Sequence, residues 1–284
     1  MRWQGRRQSG NVEDRRRLTG RRVAVGGGLG TLAIALIVML LGGNPAQVLR
    51  SLQTAQAPAG QEQAPPLTAA EQELGEFVGV ILADTEDVWN ALFAEMGKQY
   101  REPKLVMFTH ATESACGYAE SATGPFYCAA DERVYIDLGF FQDMQRQLQA
   151  PGDFAWAYVI AHEVGHHVQN LLGTMQRLHA EQQGLSQEEA NRLLVRLELQ
   201  ADFYAGVWAH HAQRTKGLLE EGDIEEGLNA AAAVGDDRIQ KQAQGYVVPD
   251  AFTHGTSAQR VRWFTLGFKT GDLRRGDTFA ARDL

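Results

Sequence analysis

A chain of 284 residues with 44% hydrophobic and 22% charged residues has the composition of a folded protein, so disorder throughout is excluded. A net charge of -8 and a pI near 5.5 argue against nucleic acid as the main partner. The charge is uneven: residues 1–22 hold eight Arg against Glu13 and Asp14, a balance of +6 that leaves -14 for the remainder, and such an asymmetry calls for a cause.

The first element is that basic head, 1–22. Residues 23–43 (VAVGGGLGTLAIALIVMLLGG) follow without a charge, and about 20 apolar residues at a rise of about 1.5 Å cross a hydrocarbon core. The stretch reads as one transmembrane helix in a cytoplasmic membrane. Its Arg-rich flank predicts a cytoplasmic N-terminus and a periplasmic or otherwise extracytoplasmic body. The rival is a cleaved signal peptide, but the run is long for an h-region and Gly42-Gly43-Asn44-Pro45 offers no Ala-x-Ala site. Within the head, residues 11–17 (NVEDRRR) are more ordered in sequence than an electrostatic anchor needs. Residues 44–70, rich in Ala, Gln and Pro, read as a tether. Residues 71–284 remain for one catalytic-sized domain.

In that domain, apolar spacing predicts a helix over 71–100 with a break near Thr85. Short strands are expected at 104–108, 126–128 and 134–136, then a helix over 140–148. Cys116 and Cys128 are the only cysteines. In an oxidising compartment they read as a disulfide rather than a zinc site, since two thiolates make a poor cage; two unrelated thiols are the alternative. Residues 153–172 start with an Asp N-cap and are apolar on nearly all sides through Ile160, as a buried central helix would be. Ser186 and Glu189 form a capping box for a second long helix reaching about His211. Further helices are expected over 221–244 and 257–268.

The central helix carries His162-Glu163-Val164-Gly165-His166, an HExxH. Two His four residues apart lie on one face and can both bind one zinc ion, while Glu163 can act as general base toward a zinc-activated water. Gly165 is expected to give room near the metal. The extended HExxHxxGxxH pattern is excluded by Gln169 and Leu172. A third ligand is offered by the second long helix, where Glu198 and Asp202 sit four apart among apolar neighbours. Glu198 can bind the metal and Asp202 can accept the free ring N–H of a ligand His. A solvated acidic pair is the plainer alternative.

HExxH followed on a later helix by ExxxD resembles the gluzincin metallopeptidases. The chain as a whole resembles the bacterial membrane-anchored neutral zinc metallopeptidase family, through MRWQGRRQSGNVEDRR, ACGYAESATGPFYC, VYIDLGFF, AHEVGHHVQN, RLELQADFYAGVW, GDDRIQKQAQGYVVPDAFTHGTSAQRVRWF and the terminal DTF. The resemblance implies an α+β, mainly helical zincin-like domain with a small β-sheet, preceded by one transmembrane helix. It also implies one zinc ion per chain and a peptide or protein substrate. The stretch from His254 to Arg260 is similar to the SHPPTxxR segment of CAAX-prenyl-protease-like enzymes, with Gly255 in place of a Pro. That likeness makes His254 an oxyanion donor and Arg260 its orienting group or a loop lock; a His capping a helix start is the alternative, and Tyr246 and Tyr135 are other donors. Val134, Tyr135 and Ile136 are read as a sheet edge for an extended substrate, or else an interior strand. His167, about 100° from His166 around the helix, is read as support or core. Besides a peptidase, two readings stand: a zinc-stabilised envelope scaffold without turnover, and a metallo-amidase acting on cell-wall peptides.

Overall fold

The computed structural model describes residues 1–17, 66–120 and 124–284. The expected span at 23–43 and most of the 44–70 tether lie outside the described residues, among which no helix is long and apolar enough to cross a membrane. Residues 1–15, expected as a separate basic head, pack in one unit with residues 68–284. Their strand β1 (Val12–Asp14) joins the sheet of the body.

Thr68 and Glu71 form a capping box that starts α1 (Ala69–Glu95). The expected break near Thr85 does not occur. Its hydroxyl donates to the Leu82 carbonyl at 2.7 Å, so the buried polar group is satisfied inside the helix. Next come β2 (Lys104–Phe108), the hairpin β3 (Ala111–Ser114) and β4 (Gly117–Glu120), then β5 (Phe126–Cys128) and β6 (Arg133–Asp137). The four-stranded sheet has the order β1-β2-β6-β5, with β1, β2 and β6 parallel and β5 antiparallel to β6. Val134, Tyr135 and Ile136 therefore lie in an interior strand, paired on both sides and almost fully buried, not at a sheet edge. The strand facing outward on that side of the sheet is β5. The Cys116–Cys128 disulfide is formed and ties the β3–β4 turn to β5.

One face of the sheet packs against the helices through Leu105, Met107, Val134 and Ile136. Seven more helices follow: α2 (Gly139–Arg146), α3 (Asp153–Leu171), α4 (Thr174–Glu181), α5 (Gln187–Lys216), α6 (Asp223–Ala233), α7 (Asp236–Gln244) and α8 (Ser257–Thr270). Helix α3 runs through the core, burying Phe154, Tyr158, Ile160, Val164 and Val168. Each such side chain stabilises the fold by about 1.5–3 kcal/mol. Its N-cap is Gly152, with Asp153 in the first turn rather than capping. The expected helix over 221–244 is two helices because the chain turns at Gly235, where a Cβ would sit 2.4 Å from the Ser257 nitrogen. Asp236 N–H then donates to the Gly255 carbonyl at 2.9 Å. Helices α5 and α8 meet at two facing glycines. A Cβ on Gly206 would lie 2.1 Å from the Phe264 oxygen, and one on Gly267 2.1 Å from the Phe203 oxygen. That close crossing carries Arg260, in the first turns of α8, to α5.

Candidate metal centre

The rise of α3 stacks His162 and His166 one turn apart, with ring centroids 4.8 Å from each other. Helix α5 crosses at Gly165, where a Cβ would lie 3.0 Å from the Ala201 oxygen and 3.2 Å from its Cα. The glycine thus admits the backbone of α5 rather than clearing space at a metal. This approach delivers Glu198: its two oxygens lie 3.1 Å from His162 Nε2 and 3.4 Å from His166 Nε2. One donor atom from each of the three residues falls within 4.8 Å of the others.

The neighbours fix which imidazole nitrogens face this point. His162 Nδ1 donates to Asp202 Oδ1 at 2.9 Å. His166 Nδ1 lies 2.9 Å from Gln169 Oε1. Gln169 spends its amide N–H groups on the Leu197 carbonyl and Gln200 Oε1, so its oxygen must face His166, and the proton sits on His166 Nδ1. Both Nε2 atoms are left to the Glu198 side. Two imidazole nitrogens and a carboxylate oxygen, with an open side toward a cavity, are the donor set of a catalytic zinc site.

Charge is balanced tightly here. Burial acts against a proton on His162, but the Asp202 and Glu198 carboxylates outweigh it and hold its pKa up at about 10. His166 is raised in the same way against burial, chiefly by the Glu198 charge. Burial would push Glu198 up, yet the two imidazoles hold it well below the carboxylate range. Asp202, fully buried, also accepts from Arg260 Nε at 2.8 Å, from Arg260 Nη2 at 2.9 Å and from the Tyr158 hydroxyl. Despite burial its pKa is lowered, the Arg260 charge being the largest opposing cause. Arg260 itself is anchored on the Val234 carbonyl at 3.2 Å.

Glu163, His162, His166 and Glu198 line a cavity of about 460 Å3 that His254 and β5 also border. His254 is half-exposed. Its Nδ1 lies 2.9 Å from Thr253 Oγ1 and 3.3 Å from Asp236 Oδ1, whose hydrogen bond raises its pKa. The Asp236 carboxylate also accepts the backbone N–H groups of Thr253, His254 and Gly255, which sets the loop ahead of α8.

A family model described as "Putative neutral zinc metallopeptidase" matches residues 1–279. The chain belongs to that family. It is 53% identical to the uncharacterized protein YpfJ of Escherichia coli, over 98% of this chain and 99% of that protein. It is 43% identical to uncharacterized proteins of Mycobacterium bovis and Mycobacterium tuberculosis, over 75% of this chain and 74% of theirs. No solved structure matches the chain.

Against the family pattern read from the sequence, the structure brings together His162, Glu163, His166, Glu198, Asp202, His254 and Arg260 around one cavity and its rear wall. Tyr135 is turned away, stacked on Phe126 with its hydroxyl on Asp131, and Tyr246 is largely exposed on the surface. His167 is core: its ring bridges the Tyr127 hydroxyl at 3.0 Å and the Arg101 carbonyl at 2.6 Å, fastening β5 to α3. Three residues escape the sequence reading. Gln169 sits three residues past His166 on the same helix, and that spacing is a signal that could have found it. Tyr158 lies one turn before His162 for the same reason. Asp236 carries no local signal, since it reaches His254 from another helix. The chain's last residues also clasp α5 on either side of Glu198. Arg196 Nη1 donates to the Ala281 carbonyl at 3.0 Å, Thr278 Oγ1 donates back to the Arg196 carbonyl, and Gln200 Nε2 donates to Gly276.

Proposed function

We propose that the chain is a zinc-dependent peptidase in which Glu163 is the catalytic base. The reading is carried by the tautomer lock: Asp202 and Gln169 hold both Nδ1 protons, leaving two Nε2 atoms and Glu198 converging beside a cavity that Glu163 lines. Zinc held by His162, His166 and Glu198 would polarise the scissile carbonyl and acidify a water. Glu163 takes the proton of the attacking water and hands it to the leaving amine. His254, whose Nδ1 is held by Asp236, donates to the developing oxyanion. Arg260 acts through Asp202, balancing the charge that aims His162. An extended peptide adds along β5, and the apolar walls Phe126, Phe140, Val159, Met175 and Ile239 receive an apolar side chain.

The same proposal places the enzyme at the bacterial cytoplasmic membrane, through the uncharged stretch 23–43, with its body in an extracytoplasmic space. The stretch's composition and the disulfide support it. Glu163→Gln tests the chemistry. It is expected to retain one zinc per chain and to lose hydrolysis of a denatured protein by roughly 10²–10⁴-fold, the share of a general base. Cleavage at the parent rate refutes Glu163 as the base. A parent protein that binds zinc and cleaves nothing is a scaffold, and one that cuts only purified peptidoglycan is an amidase.

A further inference from the structure

The head motif finds no use in the peptidase reading, yet it is fastened along the body by side chains specific to it. Ser9 N–H donates to the Gly79 carbonyl at 2.9 Å, and the Asn11 carbonyl accepts from Leu105 N–H at 2.9 Å. From there β1 runs parallel to β2 in the register Val12 to Leu105, Glu13 to Val106 and Asp14 to Met107. Glu86, in the middle of α1 and only 2% exposed, meets the head on both oxygens. Ser9 Oγ and Asn11 Nδ2 donate to one, and Arg7 Nη1 lies 3.2 Å from the other. Arg7 Nη2 also reaches the Ala83 carbonyl at 2.8 Å and Asp87 at 2.6 Å, while Arg6 lies 3.4 Å from Asp84. Trp3 meets Phe77 edge-on at 5.4 Å, and Phe77 meets Trp156 of α3 at 5.9 Å. Glu13 is shared between Arg15 and Arg133, each at 2.8 Å.

Arg6 and Arg7, counted in the basic head, are thus partners of Asp84, Glu86 and Asp87 on α1. Residues 1–15 meet the body through strand pairing, apolar contact and ion pairs in one place. The family match spans this segment together with the body. A head docked in this way and a single membrane crossing by residues 23–43 exclude one another within one chain, because the crossing separates residues 1–22 from residues 44–284.

We propose that residues 1–15 are a resident docking segment of the catalytic body, held in the same compartment as the metal cleft, in place of the cytoplasmic N-terminus that the Arg-rich flank predicts. The experiment uses the full chain in its membrane. A Cβ built on Gly79 lies 3.4 Å from the Gln8 Cβ, within reach of a disulfide, whose Cβ atoms sit about 3.5–4.5 Å apart. Gln8→Cys with Gly79→Cys is expected to form an intrachain disulfide in cells, seen as a shift in mobility without reductant that neither single variant gives. Independently, Gly10→Cys and Gln183→Cys, both at exposed positions, are challenged with a membrane-impermeant maleimide in intact spheroplasts. Both labelled, or both protected until lysis, is the expected result. One labelled and the other protected overturns the proposal, and so does failure of the cysteine pair to cross-link within one chain. The labelling result holds even if the double variant misfolds, and it does not depend on peptidase activity.

Discussion

The metal cleft and the head interface are both made of opposed charges, but they hold them differently. In the cleft, the Asp202 side chain is 0% and that of Arg260 4% exposed, and the two are paired through both carboxylate oxygens. At the head, Arg7 is 53% and Asp87 44% exposed. Buried charge is costly unless fully paired, so removing one partner leaves a large deficit; exposed pairs contribute little each and are screened by salt. The cleft should therefore fail sharply and locally, and the head by small, salt-dependent steps. Four measurements bear on that contrast.

The largest effect is expected from Glu198→Ala, which removes the carboxylate facing both Nε2 atoms. Zinc content should fall from one per chain toward none; unchanged stoichiometry and affinity would falsify Glu198 as a ligand. Next is Gln169→Leu, which frees His166 to turn. Loss of such a supporting hydrogen bond costs roughly 10–100-fold in metal affinity, and competition with a chelator measures it. Wild-type affinity in Gln169→Leu would mean that packing alone orients the ring.

Third, the metal-free cleft stores a proton on His162, whose folded pKa of about 10 exceeds the usual 6.5. The sign follows: this group stabilises the zinc-free fold fully below about pH 6.5 and stops doing so as pH rises through about 10. Zinc must displace that proton, so its affinity should rise with pH over the same window. Calorimetry in buffers of different ionisation heat should show proton release on loading, and no buffer dependence would contradict it. The smallest effect is that of Arg7→Ala: about 0.2–1 kcal/mol for the exposed pair with Asp87, shrinking in high salt, while buried Glu86 keeps Ser9 and Asn11 as donors and zinc content is unchanged. A loss of zinc there would erase the distinction between the two regions.

The cleft was legible because its parts obey short periods. His162, Glu163 and His166 are fixed by one helical turn, and Glu198 and Asp202 by another, so each helix announces its own face. Arg260 and His254 could be placed only through resemblance, since nothing local says that α8 crosses α5 at Gly206 and Gly267. The interior position of Val134 to Ile136 turned on two partners that the local pattern does not name, β5 on one side and, from 29 residues earlier, β2 on the other. The head itself was read through its charge alone. Its partners on α1 lie about 75–80 positions further along the chain, a separation over which charge pattern carries no register.

The clasp of the chain's final segment on α5 has a practical side. Gly276 holds Gln200, Gln200 holds Gln169, and Gln169 orients His166, while Arg196 and Thr278 bracket the turn that presents Glu198. If zinc binds as proposed, substitutions at residues 276–281 are expected to change how firmly it is held without altering a cavity wall. For an engineer this separates two knobs that most hydrolase sites weld together, how firmly the ion is kept and what is cut.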